Sequence, residues 1–489
     1  VVDLLPFLPQ WPPGSALMVL GVACAMLRGQ RIAALGLAGV ALEFARLDVQ
    51  GLALTGAIAV LVVVGLAALA SSRDYAESES AFSPGLSLIL AGLLLLAVQL
   101  DHLGWVAALL FLAGIVERAL VPGGDAAGRD PATGGPTARA HAWRGATLIS
   151  LASASLLGLG AQGRMQDGGE LSVAWIGTPF AGDAPTTLIF LGLVLPVALP
   201  PSWGGAGQAL AAGPARRDAG SFVNAGLLRG IVLLVLLGRT FSGSDALLDV
   251  GLVIVALAPI LALLGRQLAA RFLALSVYGV LGLLLGIASI ASEQAQGALG
   301  LSVVGLALAG SGAALALVLT THARAREPGL GARGLGHVFP SAFAFALLCV
   351  LALMALPGTL LFEGRSSGLE AMSSDGAAAE ALAFAVLAGP LAVFVALPFL
   401  RLAFFSPGLA GGHVEGRRAS APLAMALALA FAAGGLIALG LVPSALAPLL
   451  PTGAAPPDRL LTAPQQLQIL LGAALLARLV RRERSTGPG

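Results

Sequence analysis

Six charged side chains stand inside or at the ends of long apolar runs: Asp101, Glu117, Arg229, Arg271, Glu363 and Arg365. An ionisable group in such a run is costly to bury, so its default reading is functional, as part of an ion path or as a fixed charge. The chemistry open to these residue types is proton transfer or electrostatic steering. Each also has a plainer reading. Arg229 sits mid-run and would set a positive field or hold an anion; otherwise it pairs with a carboxylate such as Asp249 or reaches an interface. Glu363 and Arg365, just after Pro357-Gly358, read as a local ion pair that satisfies broken backbone. Asp101-His102 could admit protons, or could be a solvated turn. Glu117-Arg118 reads as an interfacial pair. Glu43 faces a neighbouring helix or lipid headgroups, and His322, His337 and His413 fall in or beside loops.

The five histidines are scattered, and Cys24 and Cys349 lie in separate apolar runs. That spacing gives neither a disulfide framework nor a metal site, so both cysteines read as small core residues. No cofactor is expected. A net charge of +2 offers nothing to a nucleic acid. An unrelated membrane enzyme, such as a lipid transferase, would need Asp, His or Ser clustered at one membrane face, and the sequence has no such cluster.

The elements that must position these residues are membrane helices. Hydrophobic residues make up 57% of the chain and charged residues 11%, against about 25% charged in a soluble domain. Apolar runs of roughly 17–22 residues recur from end to end, the length a bilayer core demands. Fifteen spans are expected, starting near 15, 32, 51, 85, 103, 145, 184, 221, 247, 272, 298, 338, 379, 421 and 465. The first, about Ser15–Leu27, could pass for a signal-peptide core but lacks a basic flank, so it reads as a helix of the protein itself.

All 27 basic residues are arginine; there is no lysine. With the N-terminus outside, most arginines fall in cytoplasmic loops and in the tail from Arg478 to Arg484. Asp48, Asp167, Glu170, Asp183, Glu293, Glu370, Asp375 and Asp458 then fall outside. This is the positive-inside pattern with the C-terminus in the cytoplasm, and the expected location is a bacterial cytoplasmic membrane. Arg164, Arg239 and Arg365 are the exceptions. Pro196, Pro200 and Pro201 interrupt the seventh span, Pro357-Gly358 closes the twelfth, and Pro390 and Pro398 sit in the thirteenth. Interrupted helices in two halves of a chain point to transporters built from internal repeats.

Several segments together resemble the antiporter-like subunits of respiratory complex I and their relatives in Mrp antiporters, membrane hydrogenases and bicarbonate-uptake complexes. SFVNAGLLRGIVLLVLLGR, from Ser221 to Arg239, looks like that family's eighth helix, and RQLAARFLALSVYGVLGLLLGIAS, from Arg266 to Ser289, like the connection and helix after it. LPGTLLFEGR, Leu356 to Arg365, resembles the broken twelfth helix, and FLRLAFFSPG, Phe399 to Gly408, the motif that follows. Weaker matches are His102–Val121 to the fifth helix and Val194–Trp203 to the seventh. The likeness covers about residues 80–410, in order.

The resemblance implies an all-α polytopic membrane protein of 14–15 transmembrane helices, with two inverted five-helix repeats centred on broken helices. It divides the chain into N-terminal helices (1–80), a first repeat (81–270), a second repeat (271–410), and C-terminal helices with a basic tail (411–489). It also implies proton transport alongside other membrane subunits of a respiratory complex, with protons or monovalent cations as cargo and no flavin, iron–sulfur cluster or quinone in this chain.

The relay of that family pairs a carboxylate with lysines, which burial and neighbours can tune between charged and neutral. Guanidinium stays protonated. Aligned to the family, the fifth-helix Glu falls at or beside Phe111, the seventh-helix Lys near Val194, and the lysine of the connection at Ala270, beside a retained Arg271. The eighth- and twelfth-helix positions hold Arg229 and Arg365. Glu117 lies six residues beyond Phe111, about 240° around the helix from the expected face. Tyr278 replaces a small residue. The expectation is therefore a subunit that keeps the shape, has lost the switching pair, and serves a structural or coupling role. The alternative is a conductor working through Arg229, Arg365, Glu363 and Asp101.

Overall fold

A computed structural model describes residues 12–26, 32–70, 82–120, 138–173, 179–180, 183–198, 219–264, 269–326, 339–354, 356–388 and 423–449. A backbone in lipid has no water to bond, so each segment must satisfy its own N–H and C=O groups, and the helix does so. The first half supplies α1 (Ser15–Met26), α2 (Ile32–Phe44), α3 (Gly51–Ala70), α4 (Phe82–Gln99), α5 (Leu103–Leu120), α6 (Ala138–Gln166), α7 (Ala184–Ala198) and α8 (Ala219–Phe241). The second supplies α9 (Asp245–Leu264), α10 (Ala269–Ala288), α11 (Glu293–Arg326), α12 (Pro340–Leu353), α13 (Leu360–Ser374), α14 (Ala378–Ala388) and α15 (Leu423–Leu441), followed by a short 3₁₀ turn at Pro443–Leu449. Among the described residues there is no strand; His102 and Ser172 form one isolated bridge.

The chain is an all-α polytopic membrane protein. Each expected span except the one near 465 meets a described helix, and that last span lies outside the described residues. Among the described residues α3, Glu293–Ala316 of α11, and α15 are long and apolar enough to cross a membrane, and eight further apolar helices are shorter. The twelfth expected span closes at Pro357, as α12 does; Gly358, at φ +80°, then turns the chain into α13, a helix that none of the expected spans covered. The Phe399–Gly408 motif, Pro390, Pro398, His337 and His413 also lie outside the described residues.

Helix α11, 34 residues long, is the central post. It packs on α3, α8, α10, α12, α13 and α15. Helices α4 to α8 close a ring in which each packs on the next and α8 returns to α4. Small residues set the tightest crossings, as expected where packing must drive association in lipid. At the α1–α4 crossing, a Cβ on Gly14 would lie 2.1 Å from the Gly92 carbonyl oxygen, and Gly14 itself has φ +80°. Trp105, Phe111, Leu112 and Ile115 of α5, with Leu148 and Leu151 of α6, face outward. That apolar belt is the surface a bilayer or a membrane partner would cover.

Candidate functional site

The apolar face of α5 that meets the bundle runs through Val106, Leu110, Ala113 and Glu117, all buried. Their spacing of four, three and four residues keeps them on one side of a 3.6-residue helix. Glu117 therefore points inward, and only 7% of it is exposed. Across the ring, α8 presents Arg229, 6% exposed. Arg229 Nη1 donates to Glu117 Oε2 at 2.9 Å and to Ser150 Oγ of α6 at 2.8 Å. Gly114 makes room for this: a Cβ there would lie 2.8 Å from Ser150 Cβ, so α6 can close on α5 at the level of the pair. Arg229 Nε is buried without a partner. Three helices thus converge on one acid, one base and one hydroxyl.

This corrects two expectations. Glu117 is not an interfacial group beside Arg118: it reaches across the ring to a residue 112 positions away. Arg229 pairs with Glu117 and not with Asp249, which is exposed. The relay alignment placed the acid at Phe111, but Phe111 is 38% exposed on the outward face of α5. An alignment without gaps fixes sequence position, and the helix face then decides which carboxylate the bundle receives. Val194, at the place of the seventh-helix lysine, is packed in the apolar core. Ala270 and Arg271 lie in α10, and their side chains are outside the described residues.

Asp101 lies in the turn between α4 and α5 with a 73% exposed side chain, and it forms an ion pair with Arg239 near the end of α8. Arg239 also donates to the Val98 carbonyl at 2.8 Å. The turn is held from the other side by the stretch after α6: Leu103 N–H donates to Leu171 O at 2.8 Å, and Val173 N–H to Asp101 O at 2.7 Å. Thr240 Oγ1 contacts the Val173 carbonyl at 3.2 Å as well. Arg239, an exception to the expected positive-inside pattern, thus has a carboxylate partner.

The helix breaks carry a second set of polar contacts. Pro196 has no N–H for the Gly192 carbonyl one turn earlier. Ser153 Oγ of α6 donates to that carbonyl at 2.6 Å. Tyr278 of α10 donates its hydroxyl to the carbonyl of Ala198, the last residue of α7, at 2.6 Å. In the second half Arg365, 4% exposed, donates from Nη1 to the Leu353 carbonyl at 3.3 Å. Glu363, two residues earlier, is half-buried. The sequence reading missed Ser150, Ser153 and the partner of Tyr278. The signal for the two serines was present: Ser150, Ser153, Leu157 and Ala161 fall on one helical stripe of α6, and all four are buried.

Glu43 is 1% exposed and accepts from the Gly14 N–H at 3.0 Å and the Ala16 N–H at 2.7 Å. It thereby caps α1 from a neighbouring helix and takes no part in the ring. Cys24 and Cys349 are buried. Among the described residues no group of His, Cys, Asp and Glu is placed to hold a metal ion.

No family model matches the chain, and no curated protein matches it. Solved structures do. A chain of the Mrp complex from Dietzia sp. DQ12-45-1b superposes with a TM-score of 0.70 at 17% identity, over 97% of this chain and 57% of that one. This chain thus spans little more than half the length of that relative. A chain of respiratory complex I from Thermus thermophilus superposes with a TM-score of 0.63 at 19% identity, over 89% of this chain and 98% of that one. A chain of the membrane-bound sulfane sulfur reductase, an archaeal respiratory membrane complex, gives 0.65 at 14% identity, over 98% and 85%. At these identities the likeness is one of fold, and the chain shares that fold with a chain of each of these three assemblies.

Proposed function

We propose that the chain is an antiporter-like membrane subunit of a complex I-related respiratory or ion-translocating assembly, in which a fixed ion pair stands where such a subunit would switch protons. The observation that carries this reading is the buried Glu117–Arg229 pair spanning α5 and α8, with Ser150 of α6 as its third member. A buried carboxylate beside a lysine can pass a proton by changing which partner is charged. A guanidinium stays protonated and holds its geometry through planar, directional donors. The pair therefore ties three helices of the first ring together and places a permanent dipole there, a structural and coupling role.

The partners are other membrane subunits, met through outward apolar helix faces and the bilayer. The location is a bacterial cytoplasmic membrane, with the N-terminus outside and the C-terminus in the cytoplasm, as the arginine distribution supports. The two repeats would be residues 81–270, with α4–α9, and residues 271–410, with α10–α14. The fold likeness to the three assemblies supports this reading.

Proton uptake into liposomes tests it. Purified protein in a bilayer, with a pH dye inside and an imposed potential, is expected to take up protons no faster than protein-free vesicles. Uptake by the wild type that Arg229→Ala or Glu363→Gln abolishes would instead make it an active conductor. Subunits that copurify from native membranes identify the assembly.

A further inference from the structure

We propose that Arg365 is a tethered cation: its guanidinium fills a monovalent-cation site formed by the carbonyl end of α12. The argument begins with Pro357. In a continuous helix the Leu353 carbonyl would accept from the N–H of residue 357, and proline has none. The end of α12 is thus left with an orphaned carbonyl and with the partial negative charge that any helix C-terminus carries. Arg365 supplies both a donor, Nη1 to Leu353 O at 3.3 Å, and a positive charge.

The surroundings make that charge specific to the break. Arg365 is 4% exposed, and its Nε is buried without a partner. None of the ion pairs found among the described residues includes it. A buried cation with no carboxylate partner among the described residues must draw its compensation from dipoles, and the carbonyl end of α12 is the dipole it touches. In membrane transporters the same backbone feature, the C-terminal end of an interrupted helix, coordinates mobile cations.

Backbone packs closely around the break itself. A Cβ on Gly440 of α15 would lie 2.5 Å from the Gly358 carbonyl oxygen and 2.6 Å from Leu360 N, and one on Gly305 of α11 would lie 2.7 Å from Leu361 N. Two helices therefore press directly on the break. On this proposal, truncating Arg365 leaves room for a free guanidinium ion at that carbonyl end. The inference concerns a site that the proposed function leaves unassigned, and it stands whether or not the chain conducts protons.

The test is chemical rescue. Full-length wild type, Arg365→Ala and Arg365→Met are purified in lipid nanodiscs, and thermal unfolding is followed with guanidinium chloride at low-millimolar concentration against the same concentration of sodium chloride. Arg365→Ala is expected to melt several degrees below wild type and to recover part of that loss, saturably, with guanidinium; the wild type is expected not to respond. A destabilised Arg365→Ala that guanidinium does not rescue overturns the proposal. Arg365→Met decides the matter if the alanine variant does not accumulate, since it keeps the reach of the side chain and removes the charge. A lowered melting temperature for it supports the proposal, and one equal to wild type overturns it.

Discussion

The hydroxyl of Ser153 donates at 2.6 Å to the carbonyl of Gly192, the one carbonyl in α7 that Pro196 deprives of its helical donor. A kink in a membrane helix is tolerable only if the freed backbone group finds another partner. Here the partner comes from the adjacent helix, so the kink and the α6–α7 packing are one feature. Ser153→Ala should cost about 0.5–2 kcal/mol, the range measured for side-chain hydrogen bonds between membrane helices. In a Pro196→Ala background the restored N–H serves Gly192, and the same substitution should then cost almost nothing. A double-mutant cycle on unfolding free energy checks this; equal costs in the two backgrounds would dissociate the serine from the kink.

Glu117 and Arg229 should behave as a unit. Glu117→Gln keeps one acceptor oxygen but leaves the buried guanidinium without a carboxylate to balance its charge, and breaking a buried pair in this way costs about 3–5 kcal/mol. Glu117→Gln combined with Arg229→Gln removes both charges and should be less destabilising than Glu117→Gln alone. Denaturation in detergent, with helicity followed by circular dichroism, gives the comparison. If the double variant is the less stable of the two, the pair is not the link between α5 and α8.

The difference between what the sequence predicted and what the fold contains follows from the range of each interaction. Most helix positions and the break at Pro357-Gly358 rest on local rules, apolar length and proline chemistry, and were legible in the sequence; α13 was not, because Glu363, Arg365, Glu370 and its four serines keep it from reading as an apolar run. The Glu117–Arg229 pair joins positions 112 residues apart, which no local pattern specifies. It was half legible even so: Val106, Leu110, Ala113 and Glu117 share a face, which puts the only charge of that stripe toward the bundle. The alignment to a family position drew attention to Phe111 on the opposite side. The Glu43 cap on α1 was foreseen only as contact with a neighbour, because a carboxylate gives no sign in sequence of which N–H groups it will meet.

Asp101 and Arg239 form the exposed counterpart of the buried pair. The Asp101 side chain is 73% exposed, and pairs of that kind contribute about 0–1 kcal/mol and weaken with salt. Asp101→Asn should therefore change stability little. Arg239→Ala should cost more, because the Val98 carbonyl also loses its donor at 2.8 Å. Melting temperatures of both variants at low and high sodium chloride distinguish the contributions. The part due to Asp101 should vanish in high salt, and the part due to Val98 should persist.

Glu43 holds the first turn of α1 from α2. Its two carboxylate oxygens each accept one backbone N–H, from Gly14 at 3.0 Å and Ala16 at 2.7 Å. These are helix N-terminal donors with no intrahelical acceptor, and the negative charge also complements the positive end of the helix. Glu43→Gln keeps one acceptor oxygen and loses the charge, and by analogy with lost caps it should destabilise by about 0.5–2 kcal/mol. The loss should be local. Hydrogen exchange of the amides at the start of α1 should accelerate, while amides in α11 keep their protection. Gly14→Ala should open the same region by a different route, since its Cβ would lie 2.1 Å from the Gly92 carbonyl oxygen at a backbone φ of +80°. If exchange at α1 is unchanged in Glu43→Gln, the carboxylate is not what secures that helix to the bundle.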